Sequence, residues 1–96
     1  MFILHVTYTV CQAQKENFVA AIAAAGIDTA SRAEAGCIQY DYFYGAQTED
    51  QVLLVEVWEN EAAQKAHTHT AHFQQLAAIK EQFVLKTDVK KYIWGE

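Results

Sequence analysis

The sequence predicts an α+β fold: one four-stranded antiparallel sheet in β-α-β-β-α-β order, with its helices on a single face. Three observations predict it. Residues 2–10, 37–44, 51–59 and 84–94 are rich in β-branched and aromatic residues, and the first of these runs alternates cleanly in polarity. Residues 12–35 and 60–82 instead carry apolar side chains at steps of three and four. The second and third strands are joined by only a short polar link, residues 45–50, as in a hairpin. That order is the split-βαβ, ferredoxin-like pattern, which places strands one and three at the centre of the sheet.

In the first strand Phe2, Leu4, Val6, Tyr8 and Val10 form one row, and Ile3, His5, Thr7 and Thr9 the other. The alanine-rich helix that follows presents Phe18, Ala21, Ile22, Ala25, Thr29 and Ala33 at helical spacing and stops at Gly36. Gly26 and the out-of-phase Ile27 predict a kink or break in its middle. Strand two sets Ile38, Tyr40, Tyr42 and Tyr44 against Gln39, Asp41 and Phe43, and strand three sets Leu53, Val55 and Val57 against Val52, Leu54, Glu56 and Trp58. Asn60 is an N-cap for a short helix to about His67. Thr70 caps another through about Gln82, with Phe73, Leu76, Ile79 or Lys80, and Phe83 inward. The second helical stretch is therefore broken near Thr68.

A chain of 96 residues with 52% hydrophobic content has room for one domain, residues 1–96, with a packed core. So short and apolar a chain is expected to complete its core by pairing with a second copy. The net charge of -5 and scattered cations exclude nucleic acid as a partner, and Lys86, Lys90 and Lys91 read as a solvated strand face. No apolar run reaches the length of a membrane span and no secretory leader is recognisable at the N-terminus, so a cytoplasmic protein is expected. Cys11 and Cys37 lack zinc or CxxC spacing. Cys11 ends its strand where Cys37 begins one of the same direction, so a strand length of roughly 25 to 30 Å separates them and rules out a disulfide.

With helices on one face, the other face is expected to carry His5, Thr7, Gln39, Phe43, Leu54, Glu56 and Trp58. That set is too aromatic for open water and too polar for an ordinary core. A second sheet packed against it resolves both problems, so His5, Glu56 and Trp58 are expected at a homodimer interface.

Three of the four histidines, His67, His69 and His72, fall within six positions. Their spacing does not favour a metal: they lie on two helical segments and the break between, and no neighbouring acid or thiol completes a set. No metal is expected. His67 lies four residues after Ala63 and so turns toward the sheet, where an imidazole suits proton removal near neutral pH; it is the first catalytic candidate. The alternative is a histidine bonded to a loop carbonyl at the helix break. His72, the second candidate, alternatively packs at or caps the helix entrance, and His69 faces solvent. Tyr40, Tyr42 and Phe73 are candidates to cover an aromatic substrate, against their reading as core. No phosphate loop, dinucleotide fingerprint or serine elbow is present, so no cofactor is implied.

The runs Ser31-Arg32-Ala33-Glu34-Ala35-Gly36-Cys37-Ile38-Gln39-Tyr40-Asp41 and Leu53-Leu54-Val55-Glu56-Val57-Trp58-Glu59-Asn60-Glu61-Ala62-Ala63, followed by Ala66-His67 and Ala71-His72-Phe73, resemble the antibiotic biosynthesis monooxygenase domain family. The resemblance covers nearly the whole chain and implies a dimeric α+β barrel. It also implies one of several activities: quinol or anthrone oxygenation without cofactor, haem degradation, or isomerisation of a phosphorylated autoinducer-2 derivative. The haem-degrading pattern is not met, since the helix after Phe73 has no histidine and the first strand no asparagine. The expected function is a cofactor-independent monooxygenase, quinol-monooxygenase-like, in which His67 deprotonates a small phenolic substrate that then reduces dioxygen. Two alternatives stand beside it: an isomerase of a small carbonyl compound using the same base, and a non-catalytic dimer that binds a small ligand. A phosphorylated substrate would want a cation in the pocket, and Arg32 is the only arginine.

Overall fold

A computed structural model describes residues 1–95. The elements run β1 (Phe2–Val10), α1 (Lys15–Ala24), α2 (Ile27–Arg32), β2 (Cys37–Tyr44), β3 (Gln51–Trp58), α3 (Glu61–His67), α4 (Ala71–Phe83) and β4 (Val84–Ile93). The four strands form one antiparallel sheet in the order β2-β3-β1-β4, so the predicted α+β, ferredoxin-like topology is the observed one. Strict alternation of buried and half-buried residues along β1 marks it as a central strand with its Phe2-to-Val10 row against the helices.

The register of β3 corrects the predicted outer face. Phe2 pairs with Trp58, Leu4 with Glu56, Val6 with Leu54 and Tyr8 with Val52. Directly paired residues share a face, so Leu54, Glu56 and Trp58 point at the helices with the core row of β1. They do not lie on the helix-free side. That side carries Ile3, His5, Thr7 and Thr9 from β1 beside Val57, Val55, Leu53 and Gln51 from β3, and Gln39, Asp41 and Phe43 from β2. Of the three interface candidates only His5 is on the open face, its ring 5.1 Å from that of Tyr92. Both rows of β3 are largely apolar, so alternation alone left its orientation undetermined. The single acid, Glu56, pointed the wrong way.

Tyr40 and Tyr42 face the helices as predicted, opposite Glu56 and Leu54. Ile38 leaves that row because the register shifts between Cys37 and Gln39, and it is exposed. On β4, Lys86 and Lys90 lie on the open face, whereas Lys91 pairs with Leu4 on the helix side, so the three lysines do not share a face. Cys37 sits beside Trp58 at the Phe2 end of the sheet and Cys11 follows the far end of β1; both are free thiols.

The first helical stretch breaks where Gly26 takes a positive φ of 71°. This re-phases the chain, so that Ile27 and Ser31 are buried in α2 in place of the predicted Thr29 and Ala33. Ser31 satisfies its hydroxyl by donating to the Ile27 carbonyl at 2.7 Å. In the core Tyr8, Phe18 and Phe83 pack ring against ring at 5.4 and 5.9 Å. Gly36 has φ of 83°, and a Cβ there would come within 2.7 Å of the Ala63 Cβ. Its bare backbone therefore lets α3 approach β2, while its carbonyl accepts from Glu59 N–H at 2.8 Å. That approach sets the depth of His67. No helix among the described residues is long and apolar enough to cross a membrane.

Candidate active site

The break between α3 and α4 is held by its own hydroxyls. Asn60 caps α3 by accepting from Ala63 N–H at 2.9 Å, and Thr70 caps α4 by accepting from Phe73 N–H at 3.2 Å. Thr70 also donates to the carbonyl of His67 at 2.8 Å, and Thr68 to that of Lys65 at 2.6 Å. These bonds satisfy the last carbonyls of α3 and fix His67 as its terminal residue.

His67 is 1% exposed. Its ring lies 5.0 Å from Trp58, 5.2 Å from Phe73 and 5.5 Å from Tyr40. Its Nδ1 is 2.5 Å from Oε2 of Glu34, and Nε2 of His72 is 2.7 Å from the same oxygen. A carboxylate can only accept, so each of these ring nitrogens carries the proton it donates, and in a neutral His67 ring Nε2 is the basic nitrogen. The structure thus supplies the acid that the sequence reading did not find beside the histidines. Glu34 comes from the connection between α2 and β2, thirty-three positions from His67. His72 is the second residue of α4, whose cap is Thr70, and His69 is exposed as expected.

A cavity of about 210 Å³ lies between α3, α4 and the sheet, lined by Leu4, Val6, Tyr8, Glu56, Gln64, Thr68, Phe73, Lys80, Thr87, Val89 and Lys91. Of the predicted site residues Phe73 borders it, whereas His67, His72, Tyr40 and Tyr42 do not. Glu56 is its buried acid. Trp58 Nε1 donates to Glu56 Oε1 at 3.1 Å. Burial pushes the Glu56 carboxyl above its ordinary pKa; the hydrogen bond from Trp58, the nearby His67 and the Lys80 ammonium oppose this, and the Glu34 carboxylate adds to it. Lys80 lies over the Tyr8 ring at 5.5 Å.

Burial also raises the phenols of Tyr8, Tyr40 and Tyr42, which stay neutral. The Tyr40 and Tyr42 rings meet edge to face at 5.9 Å, and among the described residues their buried hydroxyls have no hydrogen-bond partner of good geometry. The Cys37 thiol is likewise raised by burial, with Glu34 adding to the effect, so it is not an activated nucleophile. Arg32 is committed away from the cavity, donating to the Tyr40 carbonyl at 2.9 Å and pairing with Asp28 and Asp41. Glu34, Glu56 and Lys80 are the site residues that sequence reasoning missed or misplaced. The only signal for Lys80 was its inward phase on α4.

A four-stranded antiparallel sheet with its helices on one face, a buried acid, a histidine pair and a small cavity under the helices define a protein of the ferredoxin-like α+β class. The chain belongs to the antibiotic biosynthesis monooxygenase family, whose model matches residues 1–79. YcnE of Bacillus subtilis (strain 168) is 48% identical over 48 residues, half of each chain. Protein sll1783 of Synechocystis sp. is 37% identical over 81 residues, 82% of this chain and 53% of that one. The chain thus spans about half the length of the curated relatives it matches. Among solved structures, PA3566 from Pseudomonas aeruginosa superimposes with a TM-score of 0.85 at 25% identity, covering 99% of this chain and 94% of that one. A Nitrosomonas europaea protein assigned to the same family gives 0.87 at 20% identity, covering 98% of both chains, a likeness of fold alone.

Proposed function

We propose that the chain is a monooxygenase that oxidises a small phenolic or quinol-type aromatic with dioxygen, the substrate itself supplying the electrons. The observation that carries this reading is that Glu56 and Lys80 line one cavity together with Leu4, Val6, Tyr8, Phe73 and Val89. A raised carboxyl is a better-matched base for a phenol than an ordinary one. Glu56 takes the phenolic proton, and the Lys80 ammonium favours the phenolate that results. The electron-rich anion then reduces dioxygen: one oxygen atom enters the ring, the other leaves as water, and a quinol becomes a hydroxyquinone. Family membership supports the class of reaction, and the small volume favours a compact aromatic. In this scheme Phe73 and Tyr8 wall the ring.

An oxygen electrode tests the reading. Purified protein with an anthrone or naphthoquinol and no added cofactor is expected to consume one dioxygen per substrate, above the rate of autoxidation. The absence of protein-dependent uptake across such substrates would sink it. Turnover of a carbonyl compound without oxygen would favour the isomerase, though a phosphorylated substrate finds no help from Arg32, which is already paired. Ligand binding with no turnover of any kind would leave the non-catalytic dimer.

The proposal includes a homodimer formed through the helix-free face. Ile3, Val55, Val57 and Phe43 make that face apolar, with His5 and Thr7 among them. Sedimentation at micromolar concentration is expected to give about twice the 10.8 kDa chain mass, and Val55→Asp to give a folded monomer. A wild-type monomer would remove this part of the reading.

A further inference from the structure

We propose that Glu34, His67 and His72 form a binding site for one divalent ion of borderline softness, with Zn²⁺ the type ligand. Glu34 Oε2, His67 Nδ1 and His72 Nε2 all lie within 4.8 Å of one another. Two imidazoles and one carboxylate are a donor set that zinc accepts with a fourth position left for water, whereas calcium and magnesium demand oxygen ligands. The spacing of the histidines along the chain hid this set, because its third member arrives from a remote loop.

Burial strengthens the argument. The side chains are 1% (His67), 18% (His72) and 14% (Glu34) exposed. The Glu34 carboxylate is therefore largely removed from bulk water, and among the described residues its ion-pair partners are the two imidazoles, not a lysine or arginine. A dication at this point would compensate the carboxylate better than two neutral rings do. The N···O separations of 2.5 and 2.7 Å are those of hydrogen bonds. Zinc bonds of about 2.0–2.1 Å in a tetrahedron set ligand atoms about 3.3 Å apart, so each ring must retreat by less than about 1 Å. His72 has room for that movement: it is the most exposed of the three, stands second in α4, and opens the site to the solvent.

The ion would join the α2–β2 connection, the end of α3 and the start of α4. None of its three ligands lines the cavity that holds Glu56. Its role is to clamp the helix break and hold the wall of that cavity, and it takes no electron in the oxidation. The inference therefore stands whether or not the proposed oxygenase activity does.

The test uses the untagged chain, stripped with a chelator. Titration with Co²⁺ is expected to produce visible d–d absorption that saturates at one equivalent and is displaced by Zn²⁺. Zn²⁺ is also expected to raise the Tm. Loss of a supporting contact alone costs metal sites about 10–100-fold, so His72→Ala and Glu34→Gln, which remove ligands, should weaken binding by about 100-fold or more. His69→Ala removes an exposed imidazole from the same segment and should leave binding unchanged. Wild-type protein that shows no saturable Co²⁺ absorption overturns the site, and the trio is then a hydrogen-bonded clasp only. Saturable binding that survives both ligand substitutions, or is lost in His69→Ala, overturns it equally.

Discussion

Glu56→Gln is expected to abolish turnover and yet make the protein more stable at neutral pH. A positioned general base contributes typically 10²–10⁴-fold, so kcat for an accepted quinol should fall by about that factor with KM little changed. The stability gain follows from linkage. Burial raises the folded-state pKa of Glu56 above the ordinary carboxylate range. Between the unfolded and folded values the folded chain holds a proton that the unfolded chain has released, so the contribution of this group falls as pH rises through that window. Above the folded pKa both states are ionised and the full penalty of burying the charge remains. Glutamine carries no such charge, and its carbonyl still accepts from Trp58 Nε1. The variant's advantage over wild type should therefore be small in acid, where the carboxyl is protonated in folded and unfolded chains alike, and larger at pH 8, read from urea unfolding at the two values. A difference that does not change with pH would mean that Trp58 and Lys80 already solvate the carboxylate. Undiminished turnover would move the proton transfer to another group, His67 first.

The parts of the fold that were legible are those in which one row of a strand or helix is apolar and the other polar. β1 is such a strand, and Asn60 and Thr70 announce α3 and α4 because a cap needs only its own side chain and the next few amides. The face of β3 was not legible, because Leu53, Val55 and Val57 compete with Val52 and Leu54 for the core. Only pairing with β1 decides between them. The phase of α2 failed for a similar reason: a left-handed residue at Gly26 resets the helical count, and spacing across it carries no information. At the site, His67 was legible from its four-residue step after Ala63. Glu34 was not, since an acid at the end of a helix is ordinary on a surface, and its approach to two imidazoles depends on Gly36 admitting α3. Glu56 was visible as an oddity on an apolar strand and then assigned to the wrong side. A buried acid against a hydrophobic row is the kind of local inconsistency that marks candidates for function; the reading of Glu56 as an interface residue followed from the face assigned to it.

Trp58→Ala is expected to unfold most of the protein under physiological conditions, and the manner of unfolding distinguishes the two faces of β3. The ring is fully buried, pairs across the sheet with Phe2 and lies 5.0 Å from the His67 ring. Truncating a buried tryptophan to alanine costs about 3–5 kcal/mol. Removing its indole donor also leaves the Glu56 carboxyl without its hydrogen bond, adding about 1–3 kcal/mol. A domain of this size has only about 5–15 kcal/mol to lose, so Tm should fall by about 15 °C or more. Trp58→Phe keeps a ring and loses mainly the donor, and should cost about half as much. Because Trp58 faces the helices, both losses are expected at every protein concentration and to reach the His67 environment, readable as altered imidazole NMR shifts. Had the indole lain on the helix-free face, truncation would instead dissociate an intact fold, with a Tm that recovers as concentration rises. A folded, concentration-dependent monomer of Trp58→Ala would therefore overturn the register of β3 on which the placement of Glu56 depends.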